Sequence, residues 1–182
     1  MLLRAEDTVV LIIDVQQKLA PVIHQSDKVV ARVRWLGEIA NELNVPILVT
    51  EQYPKGLGIS VDELAGVIEN AQVIEKMHFS AMQEPNFTSA LADMERNQVV
   101  LMGMETHVCI LQTAIDLIST GKQVYVVEDA VSSRRDSDKQ AALYRLRQAG
   151  AIIITSEMAA YEWLHRSGTD TFRHITKNWI RG

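Results

Sequence analysis

The chain has 182 residues, 47% of them apolar, enough for one α/β domain with a sizeable core and too apolar for a disordered chain. A formal net charge of −5 and a pI near 5.5 give no electrostatic footing for nucleic acid or an anionic membrane as the main partner. The single cysteine, Cys109, cannot close an internal disulfide. No apolar run approaches the roughly 20 residues of a membrane span, and the start MLLRAEDTVV lacks the charged-then-apolar build of a signal peptide. The expectation is one domain over 1–182 in a reducing, cytoplasmic compartment.

Thr8–Val15, TVVLIIDV, is a continuous apolar run rich in β-branched residues, broken near its end by Asp14. Strands covered on both faces read this way, which predicts a parallel sheet between helices. Over Ser26–Leu43, Val29, Val30, Val33, Leu36, Ile39, Ala40 and Leu43 recur at three- and four-residue steps, the mark of a helix with one core face. Asn44 stops it and Pro46 leads into a second strand, Ile47–Thr50. Glu51–Ser60, EQYPKGLGIS, is a loop or lid; its Gly56 and Gly58 lack the context of a phosphate cradle. A short helix over Val61–Ile68 precedes a third strand, Gln72–Glu75, with Lys76 at its end.

Pro85-Asn86 opens a helix reaching about Arg96. Val99–Met102 is the fourth strand, followed by Gly103 and a polar corner, Glu105-Thr106-His107. A helix then runs over Thr106–Thr120 and closes at Gly121. With Thr106 as its N-cap, Cys109 sits in the first turn, where free N–H groups and the helix dipole favour a thiolate. Gln123–Val127 is the fifth strand, Asp138–Ala149 a helix ending at Gly150, Ala151–Ile154 the sixth strand, and Ser156–His165 a helix capped by Ser156. Thr169–Ile180 forms one more short helix.

Six strands alternating with helices call for a three-layer α/β/α, Rossmann-like open sheet of six parallel strands, ordered 3-2-1-4-5-6. Ligands in such sheets bind beyond the carboxyl ends of the strands, where the order reverses between strands 1 and 4. Asp14, Lys76 and Cys109 all fall on that edge. Asp14 also interrupts an apolar strand, where an unpaired carboxylate is costly.

These residues resemble the isochorismatase-like cysteine hydrolases, a family that includes nicotinamidases and N-carbamoylsarcosine amidase. The matching pieces are IDVQ at Ile13–Gln16, EKMHFSA at Glu75–Ala81 and GMETHVCILQTA at Gly103–Ala114. TEQYPKGLG at Thr50–Gly58 looks like the isochorismatase domain-containing subgroup. The resemblance implies Asp14 as general base, Lys76 as its electrostatic partner and Cys109 as nucleophile. It also implies a cis peptide at Met104–Glu105, with the backbone N–H groups of Glu105 and Cys109 as an oxyanion hole. By position relative to these motifs, Leu19, Gln52, Tyr53, Phe79 and His107 line the substrate pocket.

The implied chemistry is cleavage of a small amide through a Cys109 thioester, with no cofactor. Two alternatives stand beside it: protonation of a vinyl ether, which needs no thiol, and a binding or assembly role with little turnover. Nicotinamidases carry an Asp-x-His metal pattern after strand 2, where this chain reads Glu51-Gln52-Tyr53. His24, His78, His107, His165 and His174 have no paired spacing, so no metal site is expected. His107, two residues before Cys109, points away from it on a helix. The family also implies a homo-oligomer, dimer or higher, and Trp163 and Trp179 are of a kind favoured at interfaces.

Overall fold

The computed structural model describes residues 1–181. Six parallel strands form one sheet in the order β3-β2-β1-β4-β5-β6: β1 Thr8–Ile13, β2 Ile47–Gln52, β3 Gln72–Lys76, β4 Gln98–Met104, β5 Gln123–Ser132 and β6 Ile152–Ile154. The crossovers carry helices α1 (Ser26–Glu42), α2 (Pro54–Leu57), α3 (Ala65–Ile68), α4 (Pro85–Asp93), α5 (Leu111–Ser119) and α6 (Asp136–Ala149), and α7 (Ser156–Leu164) and α8 (Asp170–Ile175) follow β6. The expected sheet order is the observed one.

Alternation along the strands divides the core into two layers. Val10 and Ile12 of β1, Val100 and Met102 of β4 and Tyr125 of β5 pack with α1 and α7. Val9, Leu11 and Ile13, with Val99, Leu101, Val124 and Val126, pack with α4, α5 and α6. Every residue of β1 is buried, so its two-sided apolar run is explained by cover on both faces.

Several boundaries differ from the sequence expectation, each for a local reason. β5 runs five residues past Val127, because Val131 and Ser132 pair with Gly103 and Met104 after a register shift. Glu128 and Asp129 break its apolar pattern in sequence. The helix expected over Val61–Ile68 divides into a 3-10 turn, Asp62–Leu64, and α3. The cap of α7 is Thr155, whose side chain accepts from the Met158 N–H. Ser156 is instead the first helical residue, with its N–H and hydroxyl bound to the Asp129 carboxylate (2.7 and 2.6 Å). Trp163 is buried in its own chain and donates to Thr8 Oγ1 (3.2 Å). Trp179 is partly buried and donates to Glu38 (3.0 Å). Internal packing therefore accounts for both tryptophans. No helix among the described residues is long and apolar enough to cross a membrane.

At the switch between β1 and β4, Gly103 pairs with Ile13 at φ 121°, and a Cβ there would stand 2.1 Å from the Ile13 carbonyl oxygen. Only a residue without a side chain permits this approach. Gly103→Ala should therefore lose about 2–6 kcal/mol in urea unfolding, combining overpacking with backbone strain. Gly121→Ala, at φ 86° with open space around it, should lose about 1–2 kcal/mol.

Candidate active site

Asp14 follows the last residue of β1 and turns the chain at φ 53°, a left-handed conformation that Asp tolerates better than most side chains. Its N–H donates to the Thr50 carbonyl (3.0 Å), so the carboxylate is held by backbone at the sheet's edge. Lys76 ends β3, two strands away. Its ammonium crosses over β2 to within 2.8 Å of Asp14 Oδ2, and both side chains are fully shielded from solvent.

Charges removed from water need polar partners, and β2 supplies one for each ion. Thr50 Oγ1 donates to Asp14 Oδ1 (2.8 Å), and Gln52 Oε1 accepts from Lys76 Nζ (2.6 Å). Residues two apart on a strand share a face, so Thr50 and Gln52 reach the same side. The carbonyls of Phe79 and His78 accept from Lys76 at 3.2 and 3.4 Å.

Cys109 lies in a turn of π-helix, Thr106–Ile110, between β4 and α5, and its side chain is buried. The N-cap expected at Thr106 is absent: Glu105 holds that position with no side-chain cap bond, and among the described residues the buried Thr106 hydroxyl has no partner. The expectation of a resting thiolate is corrected as well. Burial, then the Asp14 charge, push the Cys109 thiol up to about 12, while Lys76 pulls it down. Desolvation outweighs whatever the helix end contributes. Burial likewise pushes Asp14 above its ordinary 3.8, against Lys76 and the hydrogen bonds from Lys76, Cys109 and Thr50. Asp14 and Lys76 thus form a buried ion pair, and the charges of both act on the buried Cys109 thiol.

The Met104–Glu105 peptide is cis. The Glu105 carbonyl accepts from the Val108 and Ile110 N–H groups (3.1 and 3.2 Å), and its carboxylate pairs with Arg134 at 3.1 Å.

The residues expected to line the pocket differ in burial and in partners. Leu19 belongs to the apolar cluster on the α1 side. Gln52 is spent on Lys76 and, through Nε2, on the Met77 carbonyl (2.9 Å). Tyr53 is half exposed at φ 38°, its ring lying so close to Gly56 that a Cβ there would come within 2.4 Å. Phe79 is exposed and borders a depression of about 540 Å³ with Met77 and Ile115. His107 is partly exposed, its Nδ1 2.9 Å from Ser133 Oγ. His78 is turned to the surface and pairs with Glu84 (3.0 Å).

Sequence reading missed Thr50 and Gln16. A threonine closing the apolar run Ile47–Thr50 is the same kind of signal as Asp14 in β1. Gln16 is fully buried and clamps the Gln52 backbone: Oε1 accepts from its N–H (2.8 Å) and Nε2 donates to its carbonyl (3.0 Å).

Comparison with known proteins agrees with this architecture. The Isochorismatase domain family matches residues 8–158. Isochorismatase domain-containing protein 2 of Danio rerio is 38% identical over 175 residues, which cover 96% of this chain and 88% of that protein. The structure of MAR1 ribonuclease from Caenorhabditis elegans superposes with a TM-score of 0.92 at 36% identity, covering 97% of this chain and 91% of that one. The YcaC gene product of Escherichia coli, an octameric hydrolase of unknown specificity, superposes with a TM-score of 0.91 at 27% identity, covering 100% and 92%. The chain belongs to the isochorismatase family of hydrolases.

Proposed function

We propose that this protein is a cysteine hydrolase that cleaves the C–N bond of a small amide through a Cys109 thioester, without a metal ion. The observation that carries the reading is the buried Asp14–Lys76 pair with Cys109 coupled to both. In the resting site the proton sits on sulfur. Its transfer to Asp14 leaves a thiolate beside Lys76 with the total charge of the site unchanged, and the raised basicity of Asp14 favours that transfer. The thiolate attacks the carbonyl carbon, and the oxyanion is held by the N–H groups of Glu105 and Cys109. Asp14 returns the proton to the departing amine. Water, deprotonated by Asp14, then cleaves the thioester and releases the acid and the free thiol.

Where nicotinamidases carry Asp-x-His, this chain has Glu51 and, at the histidine position, Tyr53, which supports the metal-free reading. Glu51 Oε1 is engaged within the chain, accepting from the N–H and hydroxyl of Ser60 (2.6 and 2.8 Å). The net charge of −5 favours a small molecule over RNA, whatever the worm protein acts on. Assembly into a homo-oligomer accords with the octameric relative. Vinyl-ether hydrolysis remains the second reading, favoured by one observation: a carboxyl whose pKa is raised keeps its proton to a higher pH and so has one to deliver to an enol ether.

Mass spectrometry of the protein mixed with a panel of primary and N-alkyl amides should show an acyl adduct on Cys109. Cys109→Ala should lose at least about 10³-fold in activity. Full activity in Cys109→Ala combined with an inactive Asp14→Asn would establish the vinyl-ether reading instead.

Thiolate ultraviolet absorbance, followed against pH, should give a lower midpoint for Cys109 in Asp14→Asn and a higher one in Lys76→Met, since Asp14 raises and Lys76 lowers it.

Lys76→Met also strands a buried carboxylate, at a cost of about 3–5 kcal/mol near neutral pH. Because the folded-state pKa of Asp14 lies above 3.8, that cost should disappear as the solution is acidified towards 3.8 and the carboxyl takes up its proton. Chemical denaturation across this pH range, compared with the unmodified protein, reads the difference.

A further inference from the structure

Gln52 stands among residues expected to touch substrate, yet both ends of its amide are committed within the protein. Oε1 takes a proton of Lys76 Nζ at 2.6 Å, and Nε2 gives one to the Met77 carbonyl at 2.9 Å. The partners also fix which end is oxygen, because an ammonium can only donate and a carbonyl only accept. Its backbone is clamped by Gln16, whose Nε2 continues to the Gly58 carbonyl (2.6 Å). The segment around Gly58 is tied down further: Gln17 donates to the Ile59 carbonyl (3.0 Å), Lys18 to the Leu57 carbonyl (3.0 Å) and Val61 to the Val15 carbonyl (2.9 Å). A continuous set of hydrogen bonds therefore runs from the 57–61 segment through Gln16 and Gln52 to the ammonium.

Lys76 has three protons and four acceptors around it: Asp14 Oδ2, Gln52 Oε1 and the carbonyls of Phe79 and His78. Of these, Gln52 is the nearest, and it is a neutral side chain. It holds one N–H to the β2 side of the site, with the ammonium 2.8 Å from Asp14 Oδ2.

We infer that Gln52 is a positioning residue that acts on the reaction only through Lys76, by fixing where the ammonium stands between Asp14 and Cys109. It makes no contact with substrate. The inference rests on the cysteine-hydrolase reading above, but its primary test needs no substrate.

The test uses the full-length protein and two replacements, Gln52→Glu and Gln52→Met, with circular dichroism confirming the fold of each. Thiolate absorbance is titrated in the free protein, and the rate of alkylation by iodoacetamide is measured at fixed pH. Asp14 and Lys76 are the charged groups that act on the sulfur. Gln52→Glu places a second carboxylate against the ammonium, so the Cys109 midpoint should rise and alkylation should slow. Gln52→Met removes the neutral anchor, and its midpoint should differ from that of the unmodified protein. With the best amide of the panel, kcat should fall about 10- to 100-fold for both, with KM nearly unchanged. A raised KM with an unmoved thiol titration would overturn the inference and make Gln52 a substrate contact. Titration shifts as expected, alongside full activity in Cys109→Ala, would leave the Gln52 assignment standing while the thioester reading fails.

Discussion

The Asp14–Lys76 ion pair is the interaction on which the rest of the site depends. Neither side chain has access to water, so each charge must be satisfied by the other and by fixed dipoles. The sheet meets that need through its order. Asp14 leaves β1 and Lys76 ends β3, and β2 between them carries the hydroxyl that faces the carboxylate and the amide oxygen that faces the ammonium. A site built on strand ends is held by ladder hydrogen bonds on both sides and has little freedom to relax.

The same burial governs the sulfur. Cys109 at rest is a neutral thiol, its proton retained by desolvation and by the neighbouring carboxylate. On the proposed mechanism the site is armed by moving a proton a short way rather than by storing a thiolate. Water plays no part in that step, and the positive charge of Lys76 is available whichever of its neighbours is the anion. A buried thiol of this kind is also protected from indiscriminate oxidation or alkylation, because the reactive form exists only when the proton has moved.

The close approach of β1 and β4 sets a further constraint. Gly103 lets the two strands meet without a side chain between them just before the Glu105 corner, and the register shift in β5 brings Val131 and Ser132 alongside. Ser133 and Arg134 follow at once and engage His107 and Glu105. The wall beside Cys109 is thus assembled from a strand end that looks, in sequence, like a loop.

Much of this protein is written in local pattern. The doubly apolar β1, the spacing of α1, the alternation of strands with helices and the placement of Asp14, Lys76 and Cys109 after particular strands all follow from residue order, because parallel sheets admit few topologies. Local pattern also revealed that Asp14 needed a partner, since a carboxylate in an apolar strand is otherwise too costly. What it could not supply was anything decided by burial or by contact across the sheet. The protonation of Cys109, the commitment of Gln52 to Lys76, the loss of the Thr106 cap to a π-turn and the enclosure of Trp163 all depend on neighbours far away in the chain. Tertiary structure decided them because desolvation and hydrogen-bond partners are properties of a place in the fold, and residue order specifies that place only once the sheet has closed.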